Sequence, residues 1–236
     1  MSEQIGLVVR KSSEPNKKLN PQGQAYKQKT NPVLDLVFVI DTTGSMSDKI
    51  DSLLRKCQTF VDKLASRKID WRIAIVAFGD LTIPGDKIVA ASFSNKTETV
   101  KDTLAKIPRF NGGGNEGESS LEALQKAMSV YQFRPNAIKA FILLTDEPAL
   151  KHQNSPERVT SSLRERGILT FVIAPPLQYY KDMAQTTGGK WFQISATTDF
   201  DSIIDMLIGS LTEVVEEVQE IAQGDVEKYL RLKGGH

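Results

Sequence analysis

Three oxygen-bearing side chains follow an apolar run near residue 40, one at every second position. Asp41, Thr43 and Ser45 come directly after the segment VLDLVFVI. A turn at this point can aim one carboxylate and two hydroxyl groups in the same direction. Oxygen atoms of these types are the ligands that Mg²⁺ and other hard cations prefer. The spacing therefore predicts a divalent-cation site. The alternative is that Asp41 caps a helix and the hydroxyl groups only decorate a turn.

A second acid, Asp146, ends another apolar run in the segment IKAFILLTDEP. Asp80 ends a third run, and the glycine-rich loop FNGGGNEGES precedes a helical segment. Because the carboxyl ends of parallel strands meet at one edge of a sheet, we expect Asp41 and Asp146 to lie together at that edge. A cation held by two carboxylates and neutral hydroxyl groups would keep an open position, which a carboxylate of another molecule can fill.

The elements that must position these side chains alternate between strand and helix from Val33 onward. Apolar runs typical of strands buried on both faces lead to the acids, and amphipathic segments separate these runs. The segment KIVAASF predicts a short edge strand, and a long apolar stripe predicts a final helix from Phe200 to Val218. The predicted fold class is α/β: a doubly wound, mostly parallel, Rossmann-like sheet with one short antiparallel edge strand.

The chain divides into three predicted parts. Residues 1–32 are interpreted as a flexible arm, because most of this segment is polar and rich in Lys, Asn, Gln and Pro and cannot form a core. Residues 33–222 are predicted to form one domain. Residues 223–236 are predicted to be a C-terminal tail.

Composition argues against several classes of partner. The net charge is +1, which gives no field that would gather nucleic acid or anionic lipid. No window approaches the roughly 18 apolar residues of a membrane span, and the first residues have no apolar run typical of a signal peptide. We therefore expect a cytoplasmic protein. The single cysteine, Cys57, lies on an apolar helical stripe and is expected to be a core residue.

Three segments together resemble a known family. VFVIDTTGSM, GGGNEGES and ILLTDEP are similar to the motifs of the von Willebrand factor type A (vWA) domain, and the resemblance runs from Val33 to about Val218. The metal-ion-dependent adhesion site (MIDAS) of that family has the form DxSxS, then a threonine in a second loop and an aspartate in a third. Asp41, Thr43 and Ser45 match the first element as DxTxS, and Asp146 matches the third.

The second element of the motif departs from the family pattern. This chain has Gly113, Gly114 and Asn115 where vWA domains often have Gly-Gly-Thr. Asn115, Glu116 and Glu118 are the alternatives for the missing ligand, directly or through water, and we take Asn115 as the predicted one. The glycine-rich form resembles a subgroup of intracellular microbial vWA proteins, which usually have an acid at the position of Asn115.

The resemblance implies binding rather than catalysis. vWA domains usually recognise a partner protein whose Asp or Glu completes the coordination of a divalent cation. Mg²⁺ is favoured in the cytosol, with Mn²⁺ and Ca²⁺ as alternatives. Intracellular members often work in assemblies with ATPases or other proteins. The resemblance thus predicts a non-enzymatic, metal-dependent module for protein–protein interaction.

An enzymatic alternative comes from the same turn. The residues DTTGS also resemble the DKTGT turn of haloacid-dehalogenase phosphotransferases, in which the aspartate is a nucleophile and Mg²⁺ lies beside it. Asp41 would then be the nucleophile. Such chemistry needs a downstream lysine to neutralise the phosphate, and Lys151 is the only candidate near Asp146 and Glu147. The runner-up hypothesis is a Mg²⁺-dependent phosphohydrolase.

Overall fold

A computed structural model describes residues 31–112, 117–150, 154–194 and 199–234 of the chain. The predicted ligand Asn115, the candidate phosphate-binding Lys151 and most of the predicted arm, residues 1–30, lie outside these ranges.

A six-stranded sheet forms the centre of the fold, with the strand order β3-β2-β1-β4-β5-β6. The longer strands are apolar and almost entirely buried, as expected for strands covered on both faces. Neighbouring strands pair in parallel, except that β3 runs antiparallel to β2. The strands are β1 (Val33–Asp41), β2 (Asp70–Phe78), β3 (Ile88–Ala90), β4 (Ile138–Leu144), β5 (Ile168–Ala174) and β6 (Trp191–Gln193). The predicted fold class, including the short antiparallel edge strand, is confirmed.

Helices cover both faces of this sheet. They are α1 (Ser47–Ser66), α2 (Thr97–Ala105), α3 (Ser120–Val130), α4 (Pro156–Glu165), α5 (Gln178–Thr186), α6 (Phe200–Ala222) and α7 (Val226–Gly234). Apolar residues of α1, α2, α6 and α7 pack in one core cluster, and those of α3, α4 and α5 pack in a second. Alternate residues of β1 enter the two clusters, with Phe38 in the first and Val39 in the second.

Local sequence signals account for how two of the helices begin and pack. Ser155 caps α4, where its hydroxyl oxygen accepts a hydrogen bond from the backbone N–H of Arg158 at 3.3 Å, and Pro156 occupies the first helical position. The apolar stripe of α6 is buried along its whole length, and the helix continues four residues beyond Val218 to Ala222. Cys57 is 5% exposed and lies in the first core cluster, as predicted.

The segment assigned to a tail contains helix α7. Val226, Tyr229 and Leu230 are at least nine-tenths buried and belong to the first core cluster. Gln223 has a positive φ of 59° and ends α6, which turns the chain back toward the domain. Tyr229 Oη donates a hydrogen bond to Glu217 Oε2 of α6 at 3.0 Å. Helix α7 therefore contributes to the packed core that residues 33–222 were predicted to form.

The buried carboxylate of Asp35 forms ion pairs near the amino ends of the strands. The candidate site lies at the opposite, carboxyl ends. Asp35 in β1 has no exposed surface, and Arg72 and Arg134 both bind its carboxylate. Arg72 donates to both carboxylate oxygens at 2.7 Å, and the backbone N–H of Arg134 donates to Oδ2 at 2.6 Å. Burial alone would raise the pKa of Asp35, but these hydrogen bonds more than offset it and hold the pKa below its usual value.

Across the described ranges, no helix combines the length and the apolar character needed to cross a membrane.

Candidate metal centre at the carboxyl edge of the sheet

Asp41 is the last residue of β1, and every part of its side chain is buried. Its Oδ1 accepts hydrogen bonds from the backbone N–H of Thr43 at 3.0 Å and from Thr43 Oγ1 at 2.7 Å. Its Oδ2 accepts a hydrogen bond from Thr145 Oγ1 at 2.9 Å. The carboxylate is thus fixed in place by one residue of its own turn and by one residue after β4.

Ser45 and Asp146 join the first and third elements of the predicted motif. Ser45 Oγ donates a hydrogen bond to Asp146 Oδ1 at 2.9 Å, although the two residues are 101 positions apart. This contact follows from the register, because β1 and β4 are adjacent parallel strands with Ile40 opposite Leu144. The structure therefore brings Asp41, Thr43, Ser45 and Asp146 together at one edge, whereas Asn115 falls outside the described residues.

A lysine that the sequence analysis did not single out contacts the same acid. Lys49, in the first turn of α1, has its Nζ 3.0 Å from Asp146 Oδ2. The same nitrogen donates to the backbone carbonyl oxygen of Ser45 at 2.7 Å. No sequence motif marks Lys49, because the pairing depends on the approach of α1 to the loop after β4. A positive charge of the chain itself therefore lies at the edge of the candidate site.

The charge of Asp41 is destabilised by its surroundings. Burial is the largest cause and raises the pKa of Asp41, the hydrogen bonds from Thr43 and Thr145 lower it, and repulsion from Asp146 raises it again. The resulting pKa is about 6, well above the usual value for an aspartate. A bound cation would reverse this balance, because it favours the ionised carboxylate.

Glu118 is a further buried acid at this edge. It is 4% exposed, and its Oε2 has no hydrogen-bond partner among the residues that the structure describes. Burial raises its pKa to about 8, and repulsion from Asp41 is the next largest cause. From the sequence, Glu118 was only one of three alternatives for the missing ligand in the second loop. Nothing in the pattern indicated that its side chain is enclosed.

The turn after β2 has the same pattern of hydrogen bonds as the turn after β1. Asp80 is buried, and its Oδ1 accepts hydrogen bonds from Thr82 N–H at 2.8 Å and Thr82 Oγ1 at 2.7 Å, as Asp41 does from Thr43. Asp86 accepts hydrogen bonds from the backbone N–H groups of Asp80, Asn111 and Gly112 at 3.0–3.2 Å. Asp80, which follows the parallel strand β2, therefore lies at the same edge of the sheet. Asp86 ties this turn to the start of the glycine-rich loop.

The donor set at this edge fits a hard divalent cation. Thr43 and Ser45 supply hydroxyl oxygens, Asp41 and Asp146 supply carboxylates, and the Glu118 oxygen without a donor is the kind of buried atom that a cation satisfies. Within the described part of the chain, no three or more His, Cys, Asp or Glu residues are arranged to hold an ion by themselves. A site here depends on the two hydroxyl groups.

Residues 35–206 match the sequence profile of the von Willebrand factor type A domain, a span that includes most of the chain. The chain belongs to this family. Its vWA domain places Asp41 at the end of β1, Thr43 and Ser45 in the turn that follows, and Asp146 after β4, the strand beside β1.

This vWA protein is distantly similar to a protein kinase and to a protein of the mussel byssus. The alpha-protein kinase vwkA of Dictyostelium discoideum is 22% identical over 183 residues, which cover 72% of this chain and 29% of that protein. The chain thus spans less than a third of that relative's length. Two crystal forms of proximal thread matrix protein 1 from the mussel byssus superpose on this chain with a TM-score of 0.56 at 18% sequence identity. The match covers 78% of this chain and 47% or 46% of the mussel protein chain in the two forms. This likeness supports the fold alone.

Proposed function

We propose that this vWA protein is a metal-dependent protein-binding module in which a divalent cation at the carboxyl edge is completed by an Asp or Glu of a partner. The observation that carries the proposal is the 2.9 Å hydrogen bond between Ser45 and Asp146. It brings a residue that matches the first MIDAS element, DxTxS, within hydrogen-bond distance of the residue that matches the third. The family itself consists mainly of interaction modules, and this agrees with the proposal.

Asp41, Thr43, Ser45 and Asp146 would hold the cation, and Asn115 remains the predicted second-loop ligand. Bound Mg²⁺ would supply a positive charge with a coordination position open to a carboxylate; Mn²⁺ and Ca²⁺ are the alternatives. Asp41 is fixed by Thr43 and Thr145, so the chain orients this acid before any ion arrives. Ser45 is exposed, which leaves its hydroxyl group within reach of both solvent and a partner.

The surface around the site suits a protein partner. Leu81 lies beside Asp80 in the turn after β2 and is 46% exposed. Its backbone N–H donates to Ser119 Oγ at 2.9 Å, which fixes the turn and so presents the apolar side chain to solvent. A partner that places an acid on the cation could cover this side chain with an apolar neighbour. We infer a partner within a larger cytoplasmic assembly, with an ATPase as one candidate.

The phosphotransferase alternative receives no support from the family match. Asp41 has no exposed surface, and both of its carboxylate oxygens accept hydrogen bonds. A nucleophile needs a free oxygen in line with the phosphorus atom, so this environment disfavours attack by Asp41. The match to an alpha-protein kinase covers 29% of that protein, which gives no ground for kinase activity in this chain.

A capture experiment tests the proposed function. The full chain is immobilised and incubated with native lysate in Mg²⁺ or in EDTA, and bound proteins are identified by mass spectrometry and then purified. The purified partner is titrated against wild type, Ser45→Ala and Ser47→Ala. Ser45→Ala removes a proposed ligand, whereas Ser47 is an exposed serine at the start of α1 and serves as the matched control.

We expect Mg²⁺-dependent binding that Ser45→Ala weakens at least tenfold and Ser47→Ala leaves unchanged. Equal affinity in Mg²⁺ and in EDTA for all three proteins would mean that any interaction uses another surface. Turnover of a phosphate ester that requires Mg²⁺ and Asp41 would favour the enzymatic alternative instead.

A further inference from the structure

The first turn of helix α5 carries two tyrosines, Tyr179 and Tyr180, that contact the loop after β4. We propose that both are positioning residues of the carboxyl-edge site: their hydroxyl groups hold this loop in the shape that brings Asp146 to Ser45. The inference rests on the proposed function, because the loop carries one of the proposed ligands. Neither tyrosine touches the cation in this arrangement; both act through the loop.

Helix α5 reaches this loop because of the strand order. It follows β5, and β5 is the parallel neighbour of β4 on the side away from β1. The loop after β4 therefore lies between two elements at the carboxyl edge, with the turn after β1 on one side and the start of α5 on the other. Side chains in the first turn of α5 can thus support the loop from the side opposite to Ser45.

Tyr180 supports the loop from within the core. It has no exposed surface, and its Oη donates a hydrogen bond to the backbone carbonyl oxygen of Glu147, the residue after Asp146, at 3.2 Å. Burial raises the pKa of Tyr180 well above its ordinary value, so the phenol stays protonated and remains a donor. Ser120 Oγ, which is also fully buried, lies 3.1 Å from the same phenolic oxygen and is its second hydrogen-bond partner.

Tyr179 supports the same loop two residues further along the chain. Its Oη accepts a hydrogen bond from the backbone N–H of Ala149 at 2.8 Å, and Ala149 is 5% exposed. The ring centroids of Tyr179 and Tyr180 are 4.5 Å apart, so the two rings pack together and hold their hydroxyl groups in a fixed relation. A buried N–H needs an acceptor, and a phenylalanine in place of Tyr179 would not supply one.

The contacts of Tyr180 continue to the first motif element. Thr145 Oγ1 accepts a hydrogen bond from the backbone N–H of Glu147 at 3.2 Å and donates one to Asp41 Oδ2 at 2.9 Å. One chain of hydrogen bonds thus crosses the loop from the phenol of Tyr180 to the carboxylate of Asp41, and Asp146 lies within the span that it holds. Loss of the phenol would free this span and let Asp146 move relative to the turn after β1.

The test compares the full chain with Tyr180→Phe, Tyr179→Phe and Tyr131→Phe, each of which removes one hydroxyl group and keeps the ring. Tyr131→Phe is the matched control, because Tyr131 Oη also donates to backbone carbonyl oxygens, those of Ala91 at 2.7 Å and Ile75 at 3.2 Å. Tyr131 follows the C-terminal end of α3, whereas the loop after β4 meets the chain before α3 begins.

Three measurements separate positioning from support of the fold. Hydrogen–deuterium exchange in EDTA reports how firmly the loop amides of Glu147, Ala149 and Leu150 are held. Isothermal titration calorimetry with MgCl₂ and with MnCl₂ measures affinity, and thermal melts in EDTA measure overall stability. A residue that only supports the fold lowers the melting temperature without changing the cation affinity of the folded protein.

We expect Tyr180→Phe and Tyr179→Phe each to accelerate exchange of the loop amides and to weaken both cations, in each case by about fivefold, as the loss of one ordinary hydrogen bond predicts. Tyr131→Phe should lower the melting temperature by a similar amount. It should nevertheless bind both cations like wild type and keep the wild-type exchange rates in the loop.

The opposite results separate two failures. If both α5 variants bind the cations like wild type, whether or not the loop exchanges faster, the tyrosines do not position the site and the proposed function stands. Tyr179→Phe decides the matter alone if Tyr180→Phe does not fold. Equal weakening of the cations by Tyr131→Phe would also overturn the inference, because the effect would then reflect general loss of stability. If wild type binds neither cation, the proposed function fails and this inference fails with it.

Discussion

Lys49 Nζ lies 3.0 Å from Asp146 Oδ2 and 2.7 Å from the carbonyl oxygen of Ser45. The lysine side chain is 22% exposed and the aspartate 16%, so this pair is better shielded than an ordinary surface ion pair. Asp146 is also the acid that the proposed cation requires. The ammonium group would therefore compete with the proposed divalent ion for the same carboxylate.

Substitution of Lys49 by methionine should raise the affinity for Mg²⁺ about tenfold, because Asp146 no longer has a competing positive charge; a tenfold change corresponds to about 1.4 kcal/mol. Isothermal titration calorimetry of the full chain measures the affinity. Lys56→Met is the control, since Lys56 lies on the same helix and pairs with Asp205 at 2.9 Å. An unchanged or lower affinity in Lys49→Met would mean that the lysine supports the site instead of opposing the ion.

Asp41→Ala should destabilise the metal-free protein. The pattern VLDLVFVID suggests an acid at the surface of the sheet edge, whose removal would cost little. The structure argues otherwise, because the substitution would leave the buried N–H and hydroxyl group of Thr43 without the carboxylate oxygen that accepts from both. One unsatisfied buried donor costs about 1–3 kcal/mol, partly offset here by relief of repulsion from Asp146.

Urea denaturation in EDTA measures this cost. We expect a loss of at least about 1 kcal/mol in the free energy of unfolding for Asp41→Ala. Asp41→Asn should lose less, because an amide oxygen can still accept from Thr43. Asp48→Ala, at an exposed position of α1, should be neutral. Wild-type stability of Asp41→Ala would contradict the hydrogen-bond argument.

Asp35→Asn should weaken the fold at neutral pH by about 3 kcal/mol, because Arg72 and Arg134 lose their shared buried partner. The folded-state pKa of Asp35 is lowered, so its stabilising contribution is fully present above the unfolded-state pKa of about 4 and is lost as the pH falls through the folded value. The stability difference between wild type and variant should accordingly narrow on acidification.

Urea denaturation at neutral pH and at about pH 3 checks this dependence. Asp70→Asn serves as the control: Asp70 pairs with Arg134 at 3.0 Å but is 59% exposed, so its removal should cost less than about 1 kcal/mol. If wild type and Asp35→Asn differed by the same free energy of unfolding at both pH values, the shape of the side chain, and not its charge, would explain the effect.

Removal of residues 225–236 should destabilise the domain, although the deleted residues lie outside the domain predicted from the sequence, residues 33–222. The deletion exposes the surface now covered by Val226, Tyr229 and Leu230, and each large apolar side chain contributes about 1.5–3 kcal/mol when fully buried. We expect a loss of about 3 kcal/mol or more, measured by chemical denaturation. Removal of residues 235–236 alone is the control. Wild-type stability of the longer deletion would restore the tail interpretation.

The alternation of apolar runs and amphipathic segments was sufficient to predict the sheet, its antiparallel edge strand and the placement of Asp41 beside Asp146. These features depend on local pattern and on the general rule that parallel strands end at one edge. The cap and first turn of α4 at Ser155 and Pro156 likewise depend only on local sequence, because capping is a short-range interaction.

Features that depend on pairs distant in sequence could not be predicted. Asp35 interrupts an apolar run, and its burial requires arginines 37 and 99 positions away. Lys49 meets Asp146 across 97 positions, and Glu118 is enclosed by the loop after β4. Helix α7 was missed because its apolar residues are few and its packing surface is supplied by other elements. In each case the partner is determined by tertiary packing.

The two outer strands of the sheet, β3 and β6, contain three residues each, whereas β1 and β2 contain nine. An outer strand can recruit an extended segment of another chain through its unpaired backbone groups, and a short strand presents few of them. Fibrous growth by sheet extension should thus be suppressed even in crowded solution. A partner would likewise find little backbone along which to align, which favours the proposed recognition through side chains in the loops around Asp41.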